Sequence, residues 1–185
     1  RVGPSLEFRQ RARILRDVCD AVHRAHRLGI QHRDLKPSNI VVDGELRPRI
    51  LDFGLSTGDP GYGHFRGTPP YLAPEQLDPS RPIDARTDVY ALGAVLYELL
   101  CGVPPFDPTD RTIVERIRTS VPRLPVEVDP DVPEPLQAIA LKALERDPAA
   151  RYSTARDMAL DLGRYLEGRP VAARPSHYAS ALGRR

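Results

Sequence analysis

The sequence predicts a mainly α-helical domain that carries one short β-hairpin, and three patterns lead to that prediction. The segment that ends near Leu28 has apolar residues at every third or fourth position: Ile14, Leu15, Val18, Cys19, Val22 and Ala25. The segment from Arg86 to Cys101 is apolar on nearly all sides, which indicates a helix in the centre of a domain. Between them, two apolar runs on either side of Asp43 and Gly44 indicate a hairpin.

Capping and breaking residues set the expected bounds of the first elements. Ser5 can cap the first helix, and Gly29 can end it because glycine readily adopts the left-handed conformation found after helix C-termini. The two hairpin strands are predicted at 40–42 and 49–51. Residues 55–83 contain many glycines and prolines without a helical period. We therefore expect a long structured loop there, whose length argues for a functional role.

Three further helical patterns follow the central helix, at about 110–119, 134–145 and 153–167. Ser153 is the expected cap of the last one, and Gly168 is its expected stop. The residues that follow are rich in Arg and Pro. The chain is therefore expected to divide into a domain at 1–168 and a basic tail at 169–185.

Composition excludes several classes of protein. The 185 residues are 41% hydrophobic and 28% charged, which suits one compact core, and the net charge of +2 is too small to indicate a nucleic-acid partner. Cys19 and Cys101 lie on different predicted helices, so neither a disulfide framework nor a zinc cluster is expected. The longest apolar stretch, Val89 to Cys101, is too short to span a bilayer, and no signal peptide is visible. A cytoplasmic domain is expected.

A loop after the first helix brings three different chemical groups together within eight residues, from His32 to Asn39. Phosphoryl transfer needs an acceptor hydroxyl held in line and a triphosphate neutralised by Mg²⁺. The Asp34 carboxylate can accept the hydroxyl proton, and the Lys36 ammonium can neutralise charge on the moving phosphoryl group. Asn39 and, further on, Asp52 offer the hard oxygens that Mg²⁺ prefers.

Two more patterns follow in order, Asp52-Phe53-Gly54 and Ala73-Pro74-Glu75. Over about residues 5–168 the chain therefore resembles the C-terminal lobe of eukaryotic-like (Hanks-type) serine/threonine protein kinases, most closely the bacterial branch. The resemblance implies a protein-kinase-like α+β fold, of which this chain is the mainly α-helical C-lobe with a short β-hairpin and no N-lobe. It also implies ATP and Mg²⁺ as cofactors and protein Ser/Thr hydroxyls as acceptors.

The resemblance assigns a role to each matching residue. The catalytic set is Asp34, Lys36, Asn39 and Thr68, the last of which bonds the catalytic Asp and Lys. The nucleotide set is Val41 beneath adenine with Lys36, Asn39 and Asp52, and the metal ligands are Asn39 and Asp52. The structural and regulatory set is the His32–Phe53 stack, Arg33, Gly54, the loop anchor Asp88 and the Glu75–Arg151 pair.

Local pattern alone leaves simpler explanations open. Asp88 and Glu75 can be solvated carboxylates at helix starts, and Val41 can be plain core. The glycines between Gly61 and Gly67 have imperfect spacing for a phosphate-binding loop, so they indicate loop flexibility. His23 and His26 lie three apart on a helix without a carboxylate or thiol partner in the pattern, so structural histidines are favoured over a metal site.

The only lysines are Lys36 and Lys142, so the strand lysine that grips ATP phosphates in kinases has no candidate. With Arg1 as its first residue, the chain is expected to be a fragment that is inactive alone. The parent is predicted to be a Ser/Thr protein kinase. A pseudokinase-like scaffold usually loses Asp34, Asn39 or Asp52, and a small-molecule phosphotransferase would lack Lys36 and the 73–75 segment; both stay as alternatives.

The tail and the activation segment carry the remaining expectations. The tail has the composition of a disordered linker and also resembles the segment that leads to a membrane span in bacterial receptor-like kinases, which suggests a tether to the inner face of the membrane. Between Gly58 and Gly67 there is no Ser or Thr. Although Arg33 is available to pair with a phosphate, activation is therefore predicted to depend on dimerisation or ligand sensing rather than on phosphorylation there.

Overall fold

The computed structural model describes residues 6–53 and 68–175 and is dominated by helices. Its elements in chain order are α1 (Phe8–Arg27), β1 (Ile40–Val42), β2 (Pro48–Ile50), α2 (Ala85–Cys101), α3 (Ile113–Thr119), α4 (Pro125–Val128), α5 (Glu134–Ala143) and α6 (Ala155–Leu166). Short 3-10 helices lie at Pro37–Asn39, Pro69–Tyr71, Pro74–Leu77 and Pro148–Ala150. The predicted combination of a helical domain and one hairpin is confirmed.

Helix α1 begins at Phe8, because Glu7 is its N-cap and the Glu7 N–H donates to the side-chain oxygen of Gln10 at 2.9 Å. The expected cap Ser5 lies outside the described residues. The predicted apolar stripe is buried from Ile14 to Val22 and packs mainly against α6 and α2. Gly29 follows the helix with φ of +76°, the left-handed conformation expected of a terminating glycine.

The hairpin is antiparallel, with Val41 opposite Arg49. Its second strand spans Pro48–Ile50, one residue earlier than predicted. The turn is also longer than two residues, because the Asp43 carboxylate accepts the backbone N–H groups of Glu45 and Arg47 at 2.9 and 3.0 Å. The loop before β1 and the residues after β2 are thereby brought to the same end of the hairpin.

Helix α2 is the centre of the domain, as predicted from its apolar surface. Twelve of its residues are buried, and it contacts α1, α4, α5 and α6. The Asp84 side chain caps its start by accepting the Arg86 N–H at 2.8 Å, and Gly102 ends it with φ of +73°. Gly93 sits where α2 meets the end of α5, and a Cβ there would lie 2.7 Å from the Ala143 Cβ. A small residue is needed at this crossing.

The later helices differ from the prediction in their bounds. Helix α3 begins three residues later than the predicted 110, and the one-turn helix α4 has no counterpart in the sequence pattern. The cap of α6 is Thr154 and not Ser153, since the Thr154 hydroxyl accepts the Asp157 N–H and the Asp157 carboxylate accepts the Thr154 N–H. Gly168 follows α6 with φ of +70°, as expected of its stop.

The first residues of the predicted tail pack on the domain. The Asp161 carboxylate is buried on α6 and accepts the Ala172 N–H at 2.8 Å and the Tyr152 hydroxyl at 2.9 Å. Ala173 and Pro175 are buried. Residues 176–185 lie outside the described part. Within the described ranges, none of the helices combines the length and apolar character that crossing a bilayer requires.

Candidate active site

The loop between α1 and β1 is fastened to the central helix through Asp88. This carboxylate is fully buried, and it accepts the backbone N–H of His32 at 2.8 Å and that of Arg33 at 2.7 Å. Both oxygens are therefore used to hold the loop backbone. The alternative that Asp88 is a solvated carboxylate at a helix start is wrong.

The side chains of Asp34, Lys36 and Thr68 meet beside this loop. The Lys36 ammonium lies 2.7 Å from an Asp34 oxygen and donates to the Thr68 hydroxyl at 3.0 Å. The Asp34 and Lys36 side chains are part-exposed, at 32% and 24%. A carboxylate that can accept a proton and an ammonium that can stabilise negative charge are thus held together within reach of solvent.

Asn39 closes the loop on itself. Its side-chain amide nitrogen donates to the Asp34 carbonyl at 3.0 Å, and its backbone carbonyl accepts the Leu51 N–H at 2.9 Å. Because the nitrogen end of the amide points inward, the oxygen end is the one available for a cation. The same contacts tie the His32–Asn39 loop to the end of β2, where the exposed Asp52 follows.

Two residues of the site have left-handed backbone conformations that side chains normally avoid. Arg33 has φ of +64° and Asp52 has φ of +61°. Each such conformation costs on the order of 1–3 kcal/mol and persists only where the surroundings hold it. The strain lies directly before Asp34 in one case and at the candidate metal ligand in the other.

The ring of His32 joins the loop to the segment after β2. Its Nε2 lies 2.9 Å from the Leu51 carbonyl, and its Nδ1 accepts the Asp34 N–H at 3.3 Å. With its proton on Nε2, the ring donates to the Leu51 carbonyl and accepts from the Asp34 N–H. The Phe53 ring meets it edge-on, with centroids 4.9 Å apart, so the expected stack is present. Gly54 lies outside the described residues.

An apolar face lies open beside these polar groups. Val41 is 48% exposed and Leu51 is 44% exposed, so the alternative that Val41 is plain core is wrong. An open apolar surface next to Asn39 and Asp52 suits a flat aromatic ring with attached phosphates and a hard cation. The side chains present therefore fit Mg²⁺ and ATP.

The segment after Thr68 is pinned to the helical core. Arg151 donates to both Glu75 oxygens at 2.7 Å, and Glu75 is 2% exposed. The Thr87 hydroxyl donates to the same carboxylate at 2.8 Å. The expected pairing is present, and the alternative of a solvated Glu75 is wrong.

Nearby, the Tyr71 hydroxyl donates to Glu98 on α2, and burial together with that carboxylate raises the pKa of Tyr71.

Two residues of the site were missed from sequence. The His26 Nε2 lies 2.7 Å from the Asp88 oxygen that also accepts the His32 N–H, so His26 is structural as predicted and helps to hold the His32–Asn39 loop through Asp88. Gln76 donates to the Arg33 carbonyl at 3.1 Å. The partners lie 62 positions apart in the first contact and 43 positions apart in the second, so no local spacing indicates either of them.

Comparison with known proteins gives matches to protein kinases. The model of the protein kinase domain family matches residues 3–161. A probable serine/threonine-protein kinase of Streptomyces coelicolor is 37% identical over 175 residues, which cover 90% of this chain and 26% of that protein. The serine/threonine-protein kinase PknB of Mycolicibacterium smegmatis is 39% identical over 169 residues, or 86% of this chain and 27% of that protein. The chain thus spans about a quarter of the length of these relatives.

Proposed function

Because the chain belongs to the protein kinase family, in its bacterial serine/threonine branch, we propose that it supplies the C-terminal lobe of an enzyme that transfers the γ-phosphoryl group of ATP to Ser and Thr hydroxyls of proteins. The observation that carries the proposal is the contact of Lys36 with both Asp34 and Thr68, at 2.7 and 3.0 Å. This arrangement places a proton acceptor beside a fixed positive charge, as phosphoryl transfer to a hydroxyl requires.

Each side chain has a separate part in this reaction. Asp34 orients the acceptor hydroxyl and takes its proton, while Lys36 favours the transition state by neutralising charge on the phosphoryl group. Thr68 accepts a hydrogen bond from Lys36 and so fixes the direction of the ammonium. The strained backbone at Arg33 is held by Asp88, which keeps Asp34 in place before substrate arrives.

Asn39 and Asp52 are the residues that would hold Mg²⁺, and Val41 would lie beneath the adenine ring. Bound Mg²⁺ would supply charge neutralisation of the phosphates. The exposure of Val41 supports this placement. Its apolar side chain is about half exposed, and a nucleotide base that packed on it would cover it. Arg33, Phe53 and Gly54 keep the structural and regulatory roles that the resemblance implies.

The intact protein is proposed to contain more than this lobe. The relatives are about four times longer than the matched region, and neither lysine of the chain is placed to grip phosphates from above: Lys36 bonds Asp34, and Lys142 faces the Tyr152 ring at 5.4 Å. An N-lobe would supply that contact. We also propose that the intact protein forms a homodimer. A membrane tether beyond the tail would place it at the inner face of the membrane.

The proposal is tested on the full-length enzyme with a protein substrate and labelled ATP. Asp34→Asn should lower phosphoryl transfer by roughly 10²-fold or more, the scale of positioned acid–base catalysis, and leave ATP binding nearly intact. Asp52→Asn should weaken Mg²⁺-dependent nucleotide binding as well. Asp131→Asn, the same change at an exposed aspartate before α5, is the matched control. Wild-type turnover in the Asp34 variant would refute the assignment.

A further inference from the structure

The peptide group directly before Asp34 is held at both of its ends. This group consists of the Arg33 carbonyl and the Asp34 N–H. The carbonyl accepts the side-chain N–H of Gln76 at 3.1 Å, and the Asp34 N–H donates to His32 Nδ1 at 3.3 Å. The orientation of this peptide plane sets the direction in which the Asp34 side chain leaves the backbone.

The other side of Arg33 is held as well. Its N–H donates to Asp88 at 2.7 Å. Because Arg33 has φ of +64°, a conformation that is strained for a residue with a Cβ, the two peptide groups that flank it would relax if they were released. Asp88 restrains the first of these groups, and Gln76 and His32 restrain the second.

Gln76 is itself fixed by its own segment. Its side-chain oxygen accepts the Ala73 N–H at 2.9 Å, which leaves its side-chain nitrogen directed at the Arg33 carbonyl. The preceding residue, Glu75, is bound to Arg151 in the core. The short helix Pro74–Leu77 therefore connects the helical core to the catalytic loop through two adjacent side chains.

We infer that Gln76 is a positioning residue: it clamps the Arg33 carbonyl and thereby keeps Asp34 in the geometry needed for phosphoryl transfer only while the 68–77 segment is docked. The inference rests on the proposed kinase function. It makes the docking of that segment a condition for the alignment of the catalytic carboxylate. A side chain outside the recognised motifs then couples the 68–77 segment to the loop that carries Asp34.

The decisive variant is Gln76→Glu, which has the same shape. A carboxylate keeps the bond from the Ala73 N–H but presents an oxygen to the Arg33 carbonyl in place of the donor. In the full-length enzyme we expect kcat to fall about tenfold with the KM for ATP unchanged, and the variant should remain folded at the assay temperature although the lost hydrogen bond lowers its melting midpoint slightly. Hydrogen exchange at the amides of residues 32–34 should become faster.

The matched control is Gln10→Glu. Gln10 makes the same local contact, accepting the Glu7 N–H at 2.9 Å, but its side-chain nitrogen has no hydrogen-bond partner within residues 6–53 and 68–175. This variant should keep the wild-type kcat and exchange rates. Loss of activity in both glutamate variants would overturn the clamp, because a general effect of added charge would then explain it.

Other outcomes separate this inference from the proposed function. If the wild-type enzyme turns over and Gln76→Glu does so at the same rate, the clamp is refuted while the kinase assignment stands. A fall in kcat with unchanged hydrogen exchange at residues 32–34 would also refute it, since the loss would then not come from release of the peptide group before Asp34. If the wild type shows no kinase activity, the exchange measurement decides, and unchanged exchange at residues 32–34 overturns the clamp.

Discussion

Arg151 and Glu75, which lie 76 residues apart in the chain, form a bidentate ion pair in the interior of the domain. Each of the two terminal guanidinium nitrogens lies 2.7 Å from one carboxylate oxygen, and the two side chains are 0% and 2% exposed. Arg151 also donates to the backbone carbonyls of Glu145, Arg86 and Arg146. The pair therefore joins the 68–77 segment to the start of α2 and to the turn before α6.

Removing either partner of this pair should destabilise the domain by about 3–5 kcal/mol, because it leaves an uncompensated buried charge. Denaturant unfolding of Glu75→Gln, Arg151→Met and the double variant gives the coupling energy, which should be large. The control is the Arg156–Asp20 pair, which has a 2.6 Å contact but a half-exposed arginine; its coupling should be below about 1 kcal/mol. Near-zero coupling at Glu75–Arg151 would contradict the argument.

The same pair makes stability depend on pH in a defined direction. Burial favours the neutral acid, but the hydrogen bonds and charge of Arg151 outweigh it, so the pKa of Glu75 is lowered. Because the folded-state pKa lies below the unfolded value of about 4.3, the stabilisation is complete above that value and is lost as the pH falls through the folded-state pKa. The gap in unfolding free energy between wild type and Glu75→Gln should thus narrow on acidification.

This is measured by unfolding both proteins between neutral pH and about pH 3, the range that spans the titration of a carboxyl group. Glu115→Gln, at an exposed site on α3, should show no such narrowing. A gap between wild type and Glu75→Gln that widens at low pH would mean that the carboxylate is not stabilised by Arg151.

Gly93→Ala should destabilise the domain although alanine is the better helix former. The added Cβ would meet the Ala143 Cβ at 2.7 Å, and such overpacking costs about 1–3 kcal/mol. At Gly163, on α6, an added Cβ would meet nothing within 4 Å, so Gly163→Ala should gain up to about 1 kcal/mol. Thermal unfolding of both variants isolates the steric cost. Equal changes in the melting midpoints of Gly93→Ala and Gly163→Ala would show that α2 and α5 are not packed so closely.

The 185-residue chain alone should bind Mg·ATP no more tightly than about millimolar, a free energy of roughly −4 kcal/mol. Val41 and Leu51 are each more than 40% exposed, so only one wall of the proposed nucleotide pocket is provided. Titration calorimetry with Mg·ATP measures this, with the full-length enzyme under the same conditions as the comparison. Low-micromolar binding by the chain alone would contradict it.

Activity of the full-length enzyme should survive removal of phosphate from the stretch between Gly58 and Gly67. Arg33 already has a partner within the chain, since its Nε donates to the Gln31 side chain at 3.2 Å, and the stretch has no Ser or Thr. Phosphosite mapping before and after phosphatase treatment, with heat-killed phosphatase as control, tests the prediction. Stoichiometric phosphate on Tyr62, with activity lost on its removal, would overturn it.

Much of the candidate site follows from residues that are close in the chain. The loop His32–Asn39 was identified from sequence because its chemistry is concentrated in eight residues, and the apolar periods of α1 and α2 predicted both helices. Glycines after α1, α2 and α6 have positive φ, a conformation that glycine adopts readily because it has no Cβ. Local spacing and intrinsic backbone preference were sufficient for these features.

Only the tertiary structure decided the contacts that cross the chain. His26 reaches Asp88, Gln76 reaches the Arg33 carbonyl, and Ala172 docks on Asp161 at the start of what composition marked as a linker. None of these pairs has a periodic or short-range signal, because the packing of the helices decides which donors and acceptors meet. A buried polar group must find a partner wherever the fold offers one, so such contacts are set by packing and not by sequence spacing.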